Sequence, residues 1–229
     1  VSHEFKTPLA VIYNNAQLLQ KSVSADSEQA DYVESILDST KRLSNLIQNM
    51  LKLNKLEKQT IQPMPETYDV CAQLCDCIIQ FDDSMEKKNI DFEADMEDEA
   101  YICADPGLME LVWNNLMSNA LKFTQDGGKI RLLQKRAENY IQISVSDNGC
   151  GMDSEVMKHI FDKFYQGDTS HATYGNGLGL ALVKRVLELT DGHITVESKP
   201  QKGTTFTVFM PIAENVMDMQ QDRTENETV

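Results

Sequence analysis

No apolar run in this sequence approaches the roughly 18 residues that a helix needs to cross a membrane, so no span is predicted in it. Basic residues are scarce beside acidic ones: 21 Lys and Arg stand against 36 Asp and Glu, a net charge of −15. That balance excludes non-specific binding to nucleic acid or to an anionic membrane surface. A disulfide framework is missing too. The cysteines are Cys71, Cys75, Cys77, Cys103 and Cys150; an odd number without paired spacing suits a reducing compartment. Cys71-x3-Cys75-x-Cys77 has no second half to complete a metal site, and it lies inside the helical pattern Val70, Leu74, Ile78, Phe81. Buried free thiols are the prediction there. The chain starts at Val1 rather than at a methionine and shows no secretory leader, so it reads as a piece of a longer protein. Internal repeats are also lacking.

What is present is an ordinary globular composition, 41% hydrophobic and 25% charged over 229 residues. That is enough to bury a core in one large domain or two smaller ones. Phe5, Leu9, Ile12, Ala16 and Leu19 recur at steps of four and three, one apolar stripe down a helix. The turn-formers of "SVSADSEQ" interrupt it. A second helix follows, with Ile36, Leu43 and Met50 at one seven-residue spacing and Leu46 and Leu53 at another, an a/d seam. Two helices joined by a short loop form an antiparallel hairpin. Such a hairpin cannot bury so wide a stripe alone, so a second copy is expected to complete a four-helix bundle, making the protein a homodimer; the alternative is a hairpin packed on the rest of the chain.

"QPMPE" at 62–66 marks the predicted domain boundary. Beyond it, helix-like stretches at about 71–88, 106–122 and 178–190 alternate with strand-like ones at about 129–136, 140–146, 193–198 and 204–210. The chain is therefore α+β: a helical hairpin over residues 1–62, a layered α/β domain over 63–212 and an acidic polar tail over 213–229. Asp105-Pro106 reads as N-cap and first residue of a helix.

Three short segments of the second domain carry chemistry. In "NNLMSNALKFT" (114–124), Asn115 and Asn119 share a helical face with Lys122. Amide oxygens suit Mg²⁺, and an ammonium suits phosphate. In "SVSDNGCGM" (144–152), the row Ile141, Ile143, Val145 runs into Asp147, followed by Gly149 and Gly151. A carboxylate at a strand end accepts from an exocyclic amine such as that of adenine, and the glycines admit a ligand to the backbone. In "YGNGLGLALVKRVLEL" (174–189), Gly175, Gly177 and Gly179 precede an amphipathic helix. Its N-terminus offers free N–H groups to phosphate. Each segment alone is a weak signal.

Taken in order, the three resemble the GHKL, or Bergerat, ATP-binding fold of gyrase, the related heat-shock chaperone, mismatch-repair ATPases and histidine kinases. "IFDKFYQGD" (160–168) resembles the F-box of the kinases, and "KGTTFTVFMP" (202–211) resembles the last strand pair, which places Thr205 near adenine. "SHEFKTPL", at the head of the first helix, resembles the H-box of sensor histidine kinases. The resemblance covers nearly the whole chain apart from the tail.

It implies an α/β sandwich ATP domain behind the dimerising hairpin and a bacterial two-component autokinase that uses ATP and Mg²⁺. His3 is then the nucleophile through Nε2, Glu4 the residue that polarises it, and Thr7 a phosphatase residue that orients water. Asn119 is the principal Mg²⁺ ligand with Asn115 in support, Lys122 contacts phosphate, and Phe123 lies against the nucleotide. Asp147 reads adenine beside Gly149 and Gly151, and Gly175, Gly177 and Gly179 form the lid hinge. The implied partner is the receiver domain of a response regulator. The implied place is the cytoplasm, with membrane attachment only through upstream segments. One departure stands out. Many relatives carry Arg after the F-box aromatic pair, whereas Phe164-Tyr165 is followed by Gln166, and Lys163 is the cation nearest to hand.

Two other readings compete: an ATP-gated clamp that hydrolyses ATP, and a nucleotide-binding scaffold. The clamp needs a Glu one turn before the Mg²⁺-binding Asn, and Asn115 occupies that position. An amide cannot accept a proton from water, so transfer to a better nucleophile is favoured. His3, Glu4, Asn119 and Asp147 are all in place, which disfavours an inert scaffold.

Overall fold

The computed structural model describes residues 2–23, 27–58, 62–166 and 176–213, with the backbone alone at residues 2, 3, 4 and 6. The acidic tail from 214 onward and Gly175 lie outside the described residues. No described helix is long and apolar enough to cross a membrane.

Helices α1 (Ser2–Ser22) and α2 (Glu28–Glu57) form the hairpin. Pro8 lies inside α1. Helix α2 starts where the Ser27 hydroxyl accepts from the Ala30 amide at 3.3 Å, and Glu28 and Asp31 in its first turn complement the helix dipole. The apolar stripe divides in two. Leu9, Ala16 and Val33 are buried, as is Thr40, whereas Phe5, Ile12, Leu19, Ile36, Leu43 and Met50 stay 44–52% exposed. Covering those six would contribute on the order of 1 kcal/mol per side chain.

The second part comprises β1 (Glu66–Asp69), α3 (Val70–Lys87), β2 (Asp91–Asp95), β3 (Tyr101–Ala104), α4 (Pro106–Phe123), β4 (Lys129–Arg136), β5 (Tyr140–Asp147), α5 (Ser154–His159), α6 (Gly179–Leu189), β6 (His193–Lys199) and β7 (Gly203–Pro211). Asp105 caps α4 by accepting from the Leu108 amide at 3.0 Å. Strands β1 and β3 pair alone; the other five form a sheet ordered β2-β4-β5-β7-β6. Only β2–β4 is parallel within that sheet. Sheet alternation sorts its residues. One face carries Ile130, Leu132, Ile141, Ile143, Val145, Phe206, Val208 and Met210 into a core with Leu116 and Met117 of α4 and Val183 and Val186 of α6. The opposite face is polar, with the Ser144 and Thr207 hydroxyls 3.0 Å apart.

One finding corrects the sequence reading here. Cys71 and Cys77 are buried but Cys75 is exposed. It follows Leu74 of the buried row and so sits about 100° round the helix. Burial pushes the Cys71 and Cys77 thiols up to about 12, which leaves them unreactive. Among the described residues no group of His, Cys, Asp or Glu is arranged to hold a metal. The end of α2 packs on the layer. Leu53 and Leu56 join its core, Arg185 Nη2 of α6 donates to the Leu56 carbonyl at 3.3 Å, and Lys163 pairs with Glu57.

Candidate functional site

The inner row of β5 ends in Asp147. Its Oδ1 accepts from the Gly149 amide at 2.8 Å, and the Thr204 amide also bonds the carboxylate. Burial holds the carboxyl above its ordinary value, and these two N–H groups only partly offset that. A half-buried acceptor fixed by two backbone donors, with lone pairs to spare, is suited to a ligand amine.

Thr205 is not beside it. Asp147 pairs in register with Thr204, and Ser146 with Thr205. Thr205 donates to the Ser146 hydroxyl at 2.9 Å on the polar face. A strand alternates faces at every residue, so an error of one position inverts the side chain. Thr204 shares the face of Asp147, is 8% exposed, and has its hydroxyl 2.9 Å from that of Ser198. The sequence held the signal: Phe206, Val208 and Met210 form the apolar row, and 204 has the same parity.

The glycines of the Asp147 segment make room first for the protein itself. A Cβ on Gly149 would strike the Phe123 carbonyl, and one on Gly151, at φ +64°, the Lys199 carbonyl. Gly203, which the motif reading passed over, meets the Asp147 carbonyl in the same way at φ +92°. These contacts lock β5, β7 and the end of α4 around Asp147. Gly151→Ala therefore combines a left-handed backbone with a backbone clash. We expect it to lower the melting temperature by about 10 °C or more, read by thermal denaturation.

Helix α4 buries Met109, Val112, Trp113, Leu116, Met117 and Ala120, and turns Asn115, Asn119 and Lys122 to the rim of that stripe. Asn115 Nδ2 donates to the Leu111 carbonyl at 2.6 Å. Its Oδ1 would lie 2.5 Å from a Cβ on Gly179, so any larger residue there would displace the Asn115 amide. Asn119 is half-buried, and its side chain makes no hydrogen bond to a described residue. Lys122 lies 4.3 Å from the centre of the exposed Phe123 ring, a cation–π contact. Burial pushes its ammonium below the ordinary value, and the Cys150 thiol works the other way.

Gly179 opens α6, whose first turn has no side-chain cap, leaving amides for an anion next to Asn115. Gly177, at φ +65°, presses on the backbone of Phe164 and accepts from the Phe164 amide at 2.8 Å. Its place is an anchor to the F-box rather than an open hinge. Lys163 does not face the nucleotide rim: its partner is Glu57 at the end of α2.

His3 and Glu4 lie in the first turns of α1, and the exposed Thr7 follows one turn later. One groove is lined by Leu9, Ala10, Tyr13 and Asn14 together with Lys41, Ser44, Ile47 and Gln48, which sets the register of the hairpin. Six residues back from Leu9, about 9 Å of helix rise, brings His3 level with the last turns of α2. Leu53 and Leu56 enter the α/β core there.

Residues 1–59 match the family model of the His Kinase A (phospho-acceptor) domain, and residues 104–214 match that of the histidine kinase-, DNA gyrase B- and HSP90-like ATPase. The fold is thus that of a phospho-acceptor hairpin joined to a Bergerat-type ATPase domain. The chain belongs to the sensor histidine kinases, as the core of that family. It is 31% identical over 213 residues to the sensor-like histidine kinase SenX3 of Mycobacterium tuberculosis, covering 92% of this chain and 52% of the relative. It is 34% identical over 218 residues to the circadian input-output histidine kinase CikA of Synechococcus elongatus, covering 92% and 29%. The chain spans about half the length or less of these curated relatives. The crystal structure of full-length ShkA in complex with AMPPNP superposes with a TM-score of 0.75 at 28% identity, covering 93% of this chain and 44% of that one.

Proposed function

We propose that this chain transfers the γ-phosphoryl group of ATP to His3 and passes it to an aspartate of a response-regulator receiver, acting as a homodimer through the exposed row of the hairpin. The observation that carries this reading is the junction of α2 with the ATPase layer, because it sets the His3 end of the hairpin against the domain that holds Asp147. Residues 1–62 act as the phosphotransfer hairpin and 63–212 as the ATP domain.

Neutral imidazole supplies the lone pair that attacks phosphorus. Glu4 accepts the proton of the other ring nitrogen and fixes the tautomer. As the bond from Nε2 to the γ-phosphorus forms, the bond from that phosphorus to the β–γ bridging oxygen breaks and ADP leaves. Asp147 accepts from the adenine amine, and Thr204 with its Ser198 partner lines that pocket. Lys122 and the uncapped amides of α6 meet phosphate oxygens. The Asn119 amide and Asn115 Oδ1 are hard oxygen donors without described partners on that side, a set that fits Mg²⁺. Bound there, the ion supplies charge neutralisation to the phosphates. Thr7 orients water for removal of phosphate from the regulator.

The clamp reading is less well supported. Asn115 stands where a base is needed, and its amide nitrogen is tied to Leu111. Incubation with γ-labelled ATP and Mg²⁺ decides between them. The proposal expects label on the protein that is lost in acid and kept in base. Acid-stable label, or free phosphate released with none on the protein, overturns it.

The face assignment in β7 has its own test. Thr204→Val is expected to weaken ATP binding about tenfold through loss of a buried hydroxyl contact, while Thr205→Val on the polar face changes it less than twofold, about the limit of measurement. Equal effects in calorimetric titrations would refute the assignment.

A further inference from the structure

Lys88 lies outside every nucleotide motif, yet its side chain reaches the end of the helix that carries one of them. We propose that Lys88 is a positioning residue for the nucleotide site: its ammonium fixes the last turn of α4 and so sets Asn119, Lys122 and Phe123. This rests on the ATP-binding reading of that site.

The last carbonyls of a helix lack partners within it. At the end of α4, Ala120 O accepts from the Thr124 amide at 3.0 Å and from the Thr124 hydroxyl at 2.7 Å. Leu121 O and Thr124 O are both taken by Lys88 Nζ, at 2.9 and 2.7 Å. Both partners are carbonyls, so the contact serves the helix end rather than a surface ion pair. A cation at a helix C-terminus also meets the negative end of the dipole.

Lys88 is itself held. It is the C-cap of α3, and its carbonyl accepts from the Gly127 amide at 2.8 Å. The adjoining Asp91 amide donates to Gly128 O at 2.8 Å. One residue thus caps two helices, with its backbone on α3 and its side chain on α4. Between the two carbonyls it holds lie Lys122 and Phe123, and the Phe123 carbonyl is the surface on which Gly149 rests. Without the ammonium, two carbonyls lose their donor and the last turn loosens, carrying the phosphate-facing and ring-facing side chains with it.

The test is ATP affinity in Mg²⁺, measured by calorimetry on Lys88→Met, which keeps the stem and removes the donors, and on Lys88→Arg, which restores them. Met210→Ala, in the buried row at the opposite end of β7 from Thr204, serves as a variant of comparable thermal destabilisation. We expect Lys88→Met to weaken ATP binding about tenfold, Lys88→Arg to recover most of it, and Met210→Ala to bind as the wild type does. Unchanged affinity in Lys88→Met, or an equal loss in Met210→Ala, overturns the proposal. Wild type that binds ATP without labelling His3 defeats the kinase reading and leaves Lys88 to be judged on affinity. Wild type that binds no ATP defeats both.

Discussion

His3→Gln is expected to carry no phosphoryl group after incubation with ATP and Mg²⁺, a fall of at least about a hundredfold from wild type, while it binds ATP with unchanged affinity. The two halves of that result come from separate parts of the chain. Glutamine keeps a polar side chain of similar helix propensity, so α1 is retained, but its amide nitrogen has no lone pair for phosphorus. The pocket around Asp147 is built from β5, β7 and α4, none of which contains residue 3. Glu4→Gln should act through the imidazole instead. It should slow labelling by about 10²-fold or more without moving the label. Rates of label incorporation alongside calorimetric ATP titrations check both; persistent label in His3→Gln would remove His3 from its role.

Asp147→Asn is expected to weaken ATP binding about 10- to 100-fold, the range of one charged hydrogen bond. The geometry makes the isosteric change severe. Asp147 already accepts from the Gly149 and Thr204 amides and keeps lone pairs for the nucleotide. Asparagine has a single acceptor; if that oxygen stays on the backbone donors, its NH2 group faces the adenine amine, donor against donor. Stability should survive, because the variant removes a carboxylate that burial disfavours.

The pH dependence follows from the same shift. The folded-state value lies above 3.8, raised by burial, so the folded chain binds more protons than the unfolded chain just above that pH. Stability from this group therefore falls as pH rises through the window between the ordinary and the raised value. Nucleotide binding runs the other way. It needs the ionised acceptor and should be lost on acidification at a higher pH than an ordinary aspartate would give. That acid limb should vanish in Asp147→Asn. Calorimetric titrations across the acid range read it, and an identical limb in both proteins would refute the assignment.

Much of the fold was legible because its long elements are periodic. Helix α4 and strands β5 and β7 announced themselves through apolar spacing, and Asp105-Pro106 marked the start of α4 in advance. Strands β1 and β3 have only four residues each, too short for a period to register. Strand β2, "DFEAD", is a charged edge strand whose acids pair with Lys129 and Arg131 of its neighbour. Edges avoid apolar alternation, which hides them from a pattern search. The candidate site was legible as residue types and less so as orientations. Thr205 was misplaced by one position for want of a parity count along β7. Lys163 was offered to the nucleotide because sequence proximity says nothing of Glu57, over a hundred residues away. Gly203 and Lys88 stayed silent because a close backbone approach and a helix-end cap are made in three dimensions.

The most direct measurement is the location of the phosphoryl group in wild-type chain after a brief incubation with ATP and Mg²⁺, by mass spectrometry under conditions that preserve phosphohistidine. The chain has four histidines: His3, His159, His171 and His193. His159 lies 2.7 Å from an Asp162 oxygen, and His193 is stacked on Phe209 with ring centres 4.5 Å apart. Phosphate on His3 alone is the expected result. Phosphate on another histidine, or none on the protein while free phosphate accumulates, would contradict the transfer from the Asp147 pocket to the hairpin.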